Sequence, residues 1–355
     1  MARCHRGEPF LSRIVLLTNG VVKLLSDMTS LPKIELHLHL DCSMSYRAVS
    51  ALSPSVTIED YEKEFVAPAK CSNLAQFLTC APRGVGLMQS EESLKVVVED
   101  LFEQLVVDGV IYVEIRFAPL LHTEGGLSAH RVVECVDAAV EHMTKQTGIS
   151  ARLILCTLRH FTAVQSLATA HLLRDFRGSR VVALDIAGDE AGYPVDAHVA
   201  AFRYARENEF HRTAHAGEAR GSCSVRETLQ ELQPTRIGHG VRSIENEALI
   251  EHIKKNKIHL EVCPSANVQI IESIARWEDH PIDKLYRSGV SLNVNTDSRT
   301  LTPVTLSGEY ERLNQTFGWT REHFLNTNLM AVRATFLNEA EKALLSDRLR
   351  TAYTS

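Results

Sequence analysis

The 355-residue chain has no run of 18 or more apolar residues, so no membrane span is expected. It has little excess of either charge: 38 Lys and Arg against 44 Asp and Glu leave a formal net charge of −6. That balance excludes a broad basic surface for nucleic acid. The eight cysteines include no CxxC pair and are scattered from Cys4 to Cys263. In a chain this long they fit reduced thiols and a cytoplasmic setting better than a disulfide framework. A clean secretory leader is also missing. The apolar part of residues 1–27 is interrupted by Arg13, Asn19, Gly20 and Lys23 and has no small-residue cleavage site. Fixed-period repeats, low-complexity tracts and an inter-domain linker are absent too. We therefore expect an N-terminal extension over residues 1–28 and one domain over 29–355.

What is plentiful is histidine, with 16 residues, several of them inside apolar runs. Eight such runs read as strands: 34–40 (IELHLHL), 110–119 (VIYVEIRFAP), 151–159 (ARLILCTLR), 181–188 (VVALDIAG), 212–218 (RTAHAGE), 236–240 (RIGHG), 259–267 (HLEVCPSAN) and 290–297 (VSLNVNTD). Most are rich in β-branched residues and bounded by turn residues, as buried strands are; the sixth is weak by itself. Helical spacing fills the gaps, notably 91–108, 129–147, 195–208 and 244–256. Strands alternating with helices imply parallel βαβ units. Eight of them predict an α/β fold, a (β/α)8 TIM barrel, with 43–90 a mostly helical insertion after the first strand.

In such a barrel the chemistry collects at the C-terminal ends of the strands. Those ends are polar here: His37-Leu38-His39 with Asp41, then Asp185, Gly188, Asp189 and Glu190, then His215-Ala216-Gly217-Glu218, His239 and Asp297. Residues two apart on a strand face the same side, so His37 and His39 can bind one metal from inside the barrel. An HxH pair alone is as compatible with the polar face of a half-exposed strand. With His215, His239 and Asp297 at later strand ends, the metal reading prevails. Three imidazoles and a carboxylate suit Zn²⁺, and less selectively Fe²⁺, Co²⁺ or Mn²⁺. Such a metal supplies hydroxide near neutral pH. His239 and Glu218 are the candidate acid–base groups.

Seven segments in order, PKIELHLHLD (32–41), YVEIRFAP (112–119), VVALDIAGDE (181–190), HAGE (215–218), RIGHG (236–240), EVCPSANV (261–268) and LNVNTD (292–297), make the chain similar to the adenosine deaminase family of the amidohydrolase superfamily. The resemblance covers nearly everything after residue 31. It implies one zinc per chain held by His37, His39, His215 and Asp297. It makes Glu218 the proton donor to purine N1 and His239 the residue that orients and deprotonates the attacking water. It further places the Gly188 N–H at purine N3 and Asp41 at a ribose hydroxyl. The implied reaction is hydrolytic deamination of a purine nucleoside, adenosine or deoxyadenosine. No lysine stands at the fourth strand end to be carbamylated, so a two-metal site is not expected. The HxE…PCxxC signature of the other zinc deaminases is absent.

Two positions depart from the family pattern. Cys42 stands where the family has glycine, and Ser298 where it has a second aspartate facing purine N7. A serine can donate to N7 but carries no charge. Arg299 follows and is expected to bring a cation near the pocket. These changes leave room for a modified substrate: 6-aminodeoxyfutalosine, a 5′-substituted adenosine or an N6-methylated adenine nucleotide. Cys42 is read as a packing residue rather than a reactive thiol, Glu261 as structural, and the His280-Pro281 segment as loop packing. A non-catalytic barrel relative would have lost a ligand or the HAGE glutamate, and none is lost.

Overall fold

The computed structural model of the chain describes residues 28–354, so the extension expected at the N-terminus lies, up to residue 27, outside the described residues. Eight strands follow one another, each parallel to the next. They are β1 (Lys33–His39), β2 (Val110–Phe117), β3 (Ser150–Leu158), β4 (Val181–Ala187), β5 (His211–Ala216), β6 (Arg236–His239), β7 (His259–Val262) and β8 (Leu292–Val294). The sheet closes on itself at the β8–β1 seam. There His39 N–H donates to Asp297 O (2.7 Å) and Asp297 N–H to His37 O (3.0 Å). Below that bridge side chains take over: Leu36 N–H donates to Asn295 Oδ1 and Ile34 N–H to Asn328 Oδ1, both at 2.8 Å. The expected TIM barrel is therefore present, sealed partly by amide side chains.

Helices run outside the strands for ordinary reasons. Helix Glu91–Val107 starts at Ser90, whose hydroxyl accepts from Ser93 N–H, and buries Leu94, Val97, Val98, Leu101, Phe102 and Leu105 on one face. Burial of each such side chain is worth about 1.5–3 kcal/mol. The helix stops at Asp108–Gly109, where Gly109 takes φ +73° and a Cβ would come within 2.7 Å of the Thr29 carbonyl oxygen. Any other residue there would strain the chain's entry into β2.

The barrel interior is charged as well as apolar. Inward-facing Arg116 of β2 bonds Asp185 (2.8 Å) and Glu261 (2.6 Å); Arg236 of β6 bonds Glu261 (2.7 Å) and Glu114 (2.6 Å). All five side chains are essentially fully buried. Removing one member would leave a buried charge unpaired, at a cost of roughly 3–5 kcal/mol.

The segment after β1 holds four short helices, Tyr46–Leu52, Ile58–Glu64, Leu74–Leu78 and Ala81–Val85. Its second half forms a small apolar cluster of its own: Ala67, Cys71, Leu74 and Phe77 packed on Cys263, Ala266, Ile270 and Leu301. This cluster roofs part of the barrel mouth. One expected strand is corrected. The run over 259–267 ends as a strand at Val262, and Pro264–Ile270 is a helix with its proline in the first turn. Proline lacks the N–H a strand needs but fits the first helical position.

Candidate active site

The strand ends bring the expected ligands together. His39 Nε2 lies 3.1 Å from His215 Nε2 and 3.4 Å from Asp297 Oδ1, and His37 Nε2 lies 3.2 Å from the same Oδ1. Four donors about 2.0–2.2 Å from one ion stand roughly 3.3–3.6 Å apart in a tetrahedron, so these separations suit a single metal. His37 Nε2 is buried and has no hydrogen-bond partner, which is the state of a nitrogen meant for an ion. A second grouping, His37, His215, His239 and Asp297, also has its donor atoms within 4.8 Å. We favour His39 over His239 as the ligand, because His239 Nε2 turns to Glu218 Oε2 at 3.5 Å.

The imidazoles are aimed from behind. His37 Nδ1 meets Glu261 Oε2 at 2.9 Å, and His215 Nδ1 meets Asp185 at 3.2 Å. These carboxylates fix each ring so that Nε2 presents its lone pair to the site. Arg116 bridges both carboxylates. Burial pushes Glu261 up, but the Arg116 and Arg236 guanidinium groups outweigh it and hold the carboxyl below its usual range. His37 is depressed well below the normal histidine range, chiefly by burial, so it remains neutral and able to ligate. Asp297 and His239 are both held with left-handed backbones, φ +64° and +61°. Non-glycine residues pay of order 1–3 kcal/mol for this, and it turns both side chains into the mouth.

Glu218 sits on a turn that another carboxylate builds. Glu190 accepts from the N–H groups of Gly217 (2.7 Å), Glu218 (3.0 Å), Ala219 (2.6 Å) and Arg220 (3.0 Å). Burial, then the nearby Asp297 and Glu190 carboxylates, push Glu218 far above the normal range. Its Oε1 is buried and unpartnered. A protonated carboxyl facing a cavity is a poised donor. Burial also raises Asp297, to about 6 in the protein alone.

A cavity of about 460 Å³ opens above these groups. Its floor includes Asp41, Gly188, Glu218, His239, Asp297 and Ser298, its roof Leu74, Phe77, Leu78 and Val85 from the short helices after β1, and Leu121 and Leu158 add apolar wall from the ends of β2 and β3. Asp41 Oδ2 accepts from Ala118 N–H (3.1 Å), while Oδ1 is buried without a partner. Gly188 takes φ +97°. Ser298 Oγ accepts from Thr302 N–H at 3.4 Å, so its own hydrogen is free for a ligand.

Several neighbours differ from the sequence reading or were missed by it. Arg299 does not bring a cation to the pocket: it is buried and turned away, bonded to Glu35 (2.8 Å) and Asp108 (2.9 Å), which offer stronger partners than the mouth. Cys42 lines the cavity, and burial, with Asp41 and Asp297 nearby, keeps it a thiol, as a packing residue should be. His280 is more than loop packing, because it bonds Asn267, which bonds His239. Asp185 and Glu190 stand among the polar strand ends and Asn267 inside the EVCPSANV segment, but the sequence reading gives none of the three a role.

The model of the adenosine deaminase family matches residues 32–352. An adenosine deaminase of Clostridium perfringens is 33% identical over 326 residues, covering 90% of this chain and 98% of that protein. The chain belongs to the adenosine deaminase family. It is thus a hydrolytic deaminase of the metal-dependent amidohydrolases. Solved structures agree on the fold. An amidohydrolase from Burkholderia ambifaria with bound Zn superposes with a TM-score of 0.86 at 21% identity, covering 97% of this chain and 95% of that one. The Arabidopsis N6-mAMP deaminase gives a TM-score of 0.81 at 24% identity, covering 91% and 99%. Among the described residues no helix is long and apolar enough to cross a membrane.

Proposed function

We propose that this family member converts adenosine and deoxyadenosine, with water, to inosine or deoxyinosine and ammonia. The observation that carries this is the convergence of His37, His39, His215 and Asp297 at the floor of one cavity that the buried Glu218 and His239 also line. We assign Zn²⁺ to the four donors, with Fe²⁺ or Co²⁺ as substitutes. Bound there, the metal activates a water at neutral pH. Glu218 gives its proton to purine N1, which makes C6 electrophilic. Asp297 and His239 flank the attacking water. The Gly188 N–H serves N3, Ser298 donates to N7, and the free Asp41 oxygen accepts from a ribose hydroxyl. Proton transfer of this kind contributes about 10²–10⁴-fold.

The cavity lining contains no lysine or arginine among the described residues, while Asp41, Glu124 and Asp189 are acidic. That favours a neutral nucleoside over a substrate carrying a phosphate or carboxylate, including N6-methyl-AMP and 6-aminodeoxyfutalosine. The apolar roof supports a second reading, an uncharged 5′-substituted adenosine. Cytoplasmic placement is supported by the seven free cysteines of the described residues. The test is release of the C6 amine by the metal-loaded chain, as ammonia from adenosine, deoxyadenosine, adenine, a 5′-methylthioadenosine and 6-aminodeoxyfutalosine and as methylamine from N6-methyl-AMP, in parallel. The fastest turnover is expected on adenosine or deoxyadenosine. A fastest rate on N6-methyl-AMP overturns the nucleoside reading, and silence on all six overturns the enzyme.

A further inference from the structure

His239 is held from behind by Asn267, which is held in turn by His280; neither lines the cavity, and they are 0% and 2% exposed. The direction of each hydrogen bond follows from donor chemistry. The Ile282 backbone N–H can only donate, and it donates to His280 Nδ1 at 3.1 Å. Burial holds the His280 ring neutral, its pKa down to about 3. A neutral imidazole whose Nδ1 accepts carries its proton on Nε2. That Nε2–H therefore donates to Asn267 Oδ1 at 3.3 Å. The opposite amide orientation would set N–H against N–H. The Asn267 amide nitrogen is thus left to donate to His239 Nδ1 at 3.1 Å. His239 Nδ1 is then an acceptor, and the neutral ring carries its proton on Nε2, the nitrogen turned toward Glu218 and the cavity.

We propose that Asn267 and His280 are positioning residues that fix His239 as an Nε2–H donor toward the oxygen of the attacking water, rather than as a base at that nitrogen. The proposal rests on the deaminase reading for its kinetic consequence and on hydrogen bonding alone for its tautomer. Outer-shell partners of this kind typically carry about 10–100-fold in activity.

The test is long-range ¹H–¹⁵N correlation on the zinc-loaded chain with ¹⁵N-histidine, the His239 ring assigned by difference against His239→Gln, together with adenosine kinetics. The wild type is expected to show the proton on Nε2. Asn267→Asp offers an acceptor and is expected to draw the proton to Nδ1, with kcat down about 10–100-fold, KM within about threefold and metal content unchanged. His280→Gln can still donate to Asn267, so it is expected to keep the Nε2–H form and kcat within about threefold. This pair decides the matter even where alanine variants fail to fold. A wild type with its proton on Nδ1 overturns the proposal. So does a fall in kcat for Asn267→Asp with the tautomer unmoved. An Nε2–H wild type inactive on adenosine supports the tautomer assignment and overturns adenosine as the substrate instead.

Discussion

The floor and the roof of the cavity are built on opposite principles. On the floor the polar side chains are held from behind by directional bonds: Glu261 behind His37, Asp185 behind His215, Glu190 beneath Glu218 and Asn267 behind His239. The roof is Leu74, Phe77 and Leu78 on short helices, and it touches the cavity only through apolar surface. It is pinned to the barrel at its edge. Lys70 Nζ donates to the carbonyls of Val268, Ile271 and Ile274, and Cys71 N–H donates to Gln269 O. Directional bonds in a dry site preorganise charge and hold a metal. Apolar contact gives affinity without specifying orientation. The floor should therefore govern turnover and metal binding, and the roof should govern which nucleoside is held.

The largest expected break is on the floor. Glu218→Gln keeps the shape and loses the proton; kcat should fall about 10³-fold or more while metal content, measured by elemental analysis, is unchanged. Retained turnover would remove Glu218 as the donor. One shell out, Glu261→Gln or Asp185→Asn should weaken metal binding about 10–100-fold in chelator competition, because each leaves an imidazole unaimed.

The roof should respond differently. Phe77→Ala should raise KM for adenosine about 10-fold with kcat within about threefold, since it removes apolar contact and no charge. A fall in kcat with KM unchanged would mean that the roof takes part in the chemistry. Between the two regions, Ser298→Ala should cost a single neutral hydrogen bond, about 0.5–1.5 kcal/mol in kcat/KM, and 7-deazaadenosine, which lacks N7, should not distinguish the variant from wild type.

The smallest effect lies outside both regions and calibrates them. Glu309 is fully buried, and burial raises its carboxyl to about 8 despite a hydrogen bond from Ser265 N–H. The unfolded chain gives up that proton near pH 4.5, and the folded chain near 8. Stability from this group is therefore complete below about pH 4.5 and declines as pH rises to about 8. Glu309→Gln should flatten that decline in melting temperature against pH and leave turnover unchanged.

The same contrast explains what could be read from the sequence. The barrel was legible because eight buried strands leave eight apolar runs, and the candidate ligands could be singled out because HxH, HAGE and the terminal aspartate fall at strand ends. The seventh strand was read too long because residues 263–267 (CPSAN) are too few to show a helical period; Pro264 alone marks the change. Arg299 was misplaced because nothing along the chain tells an arginine that Glu35 and Asp108, distant in sequence, will be nearer than the pocket. His280 looked like loop packing for the same reason: its partner, Asn267, belongs to a different element. The roof could be read as helical but not as a cavity wall, since short helices carry no face until they dock.

The most direct test of the account is a zinc titration of the chelator-stripped chain with adenosine deamination as the readout. The account predicts no activity without metal and a linear rise that breaks at one equivalent per chain. A break at two equivalents, or turnover that ignores the metal, would contradict a single ion held by His37, His39, His215 and Asp297.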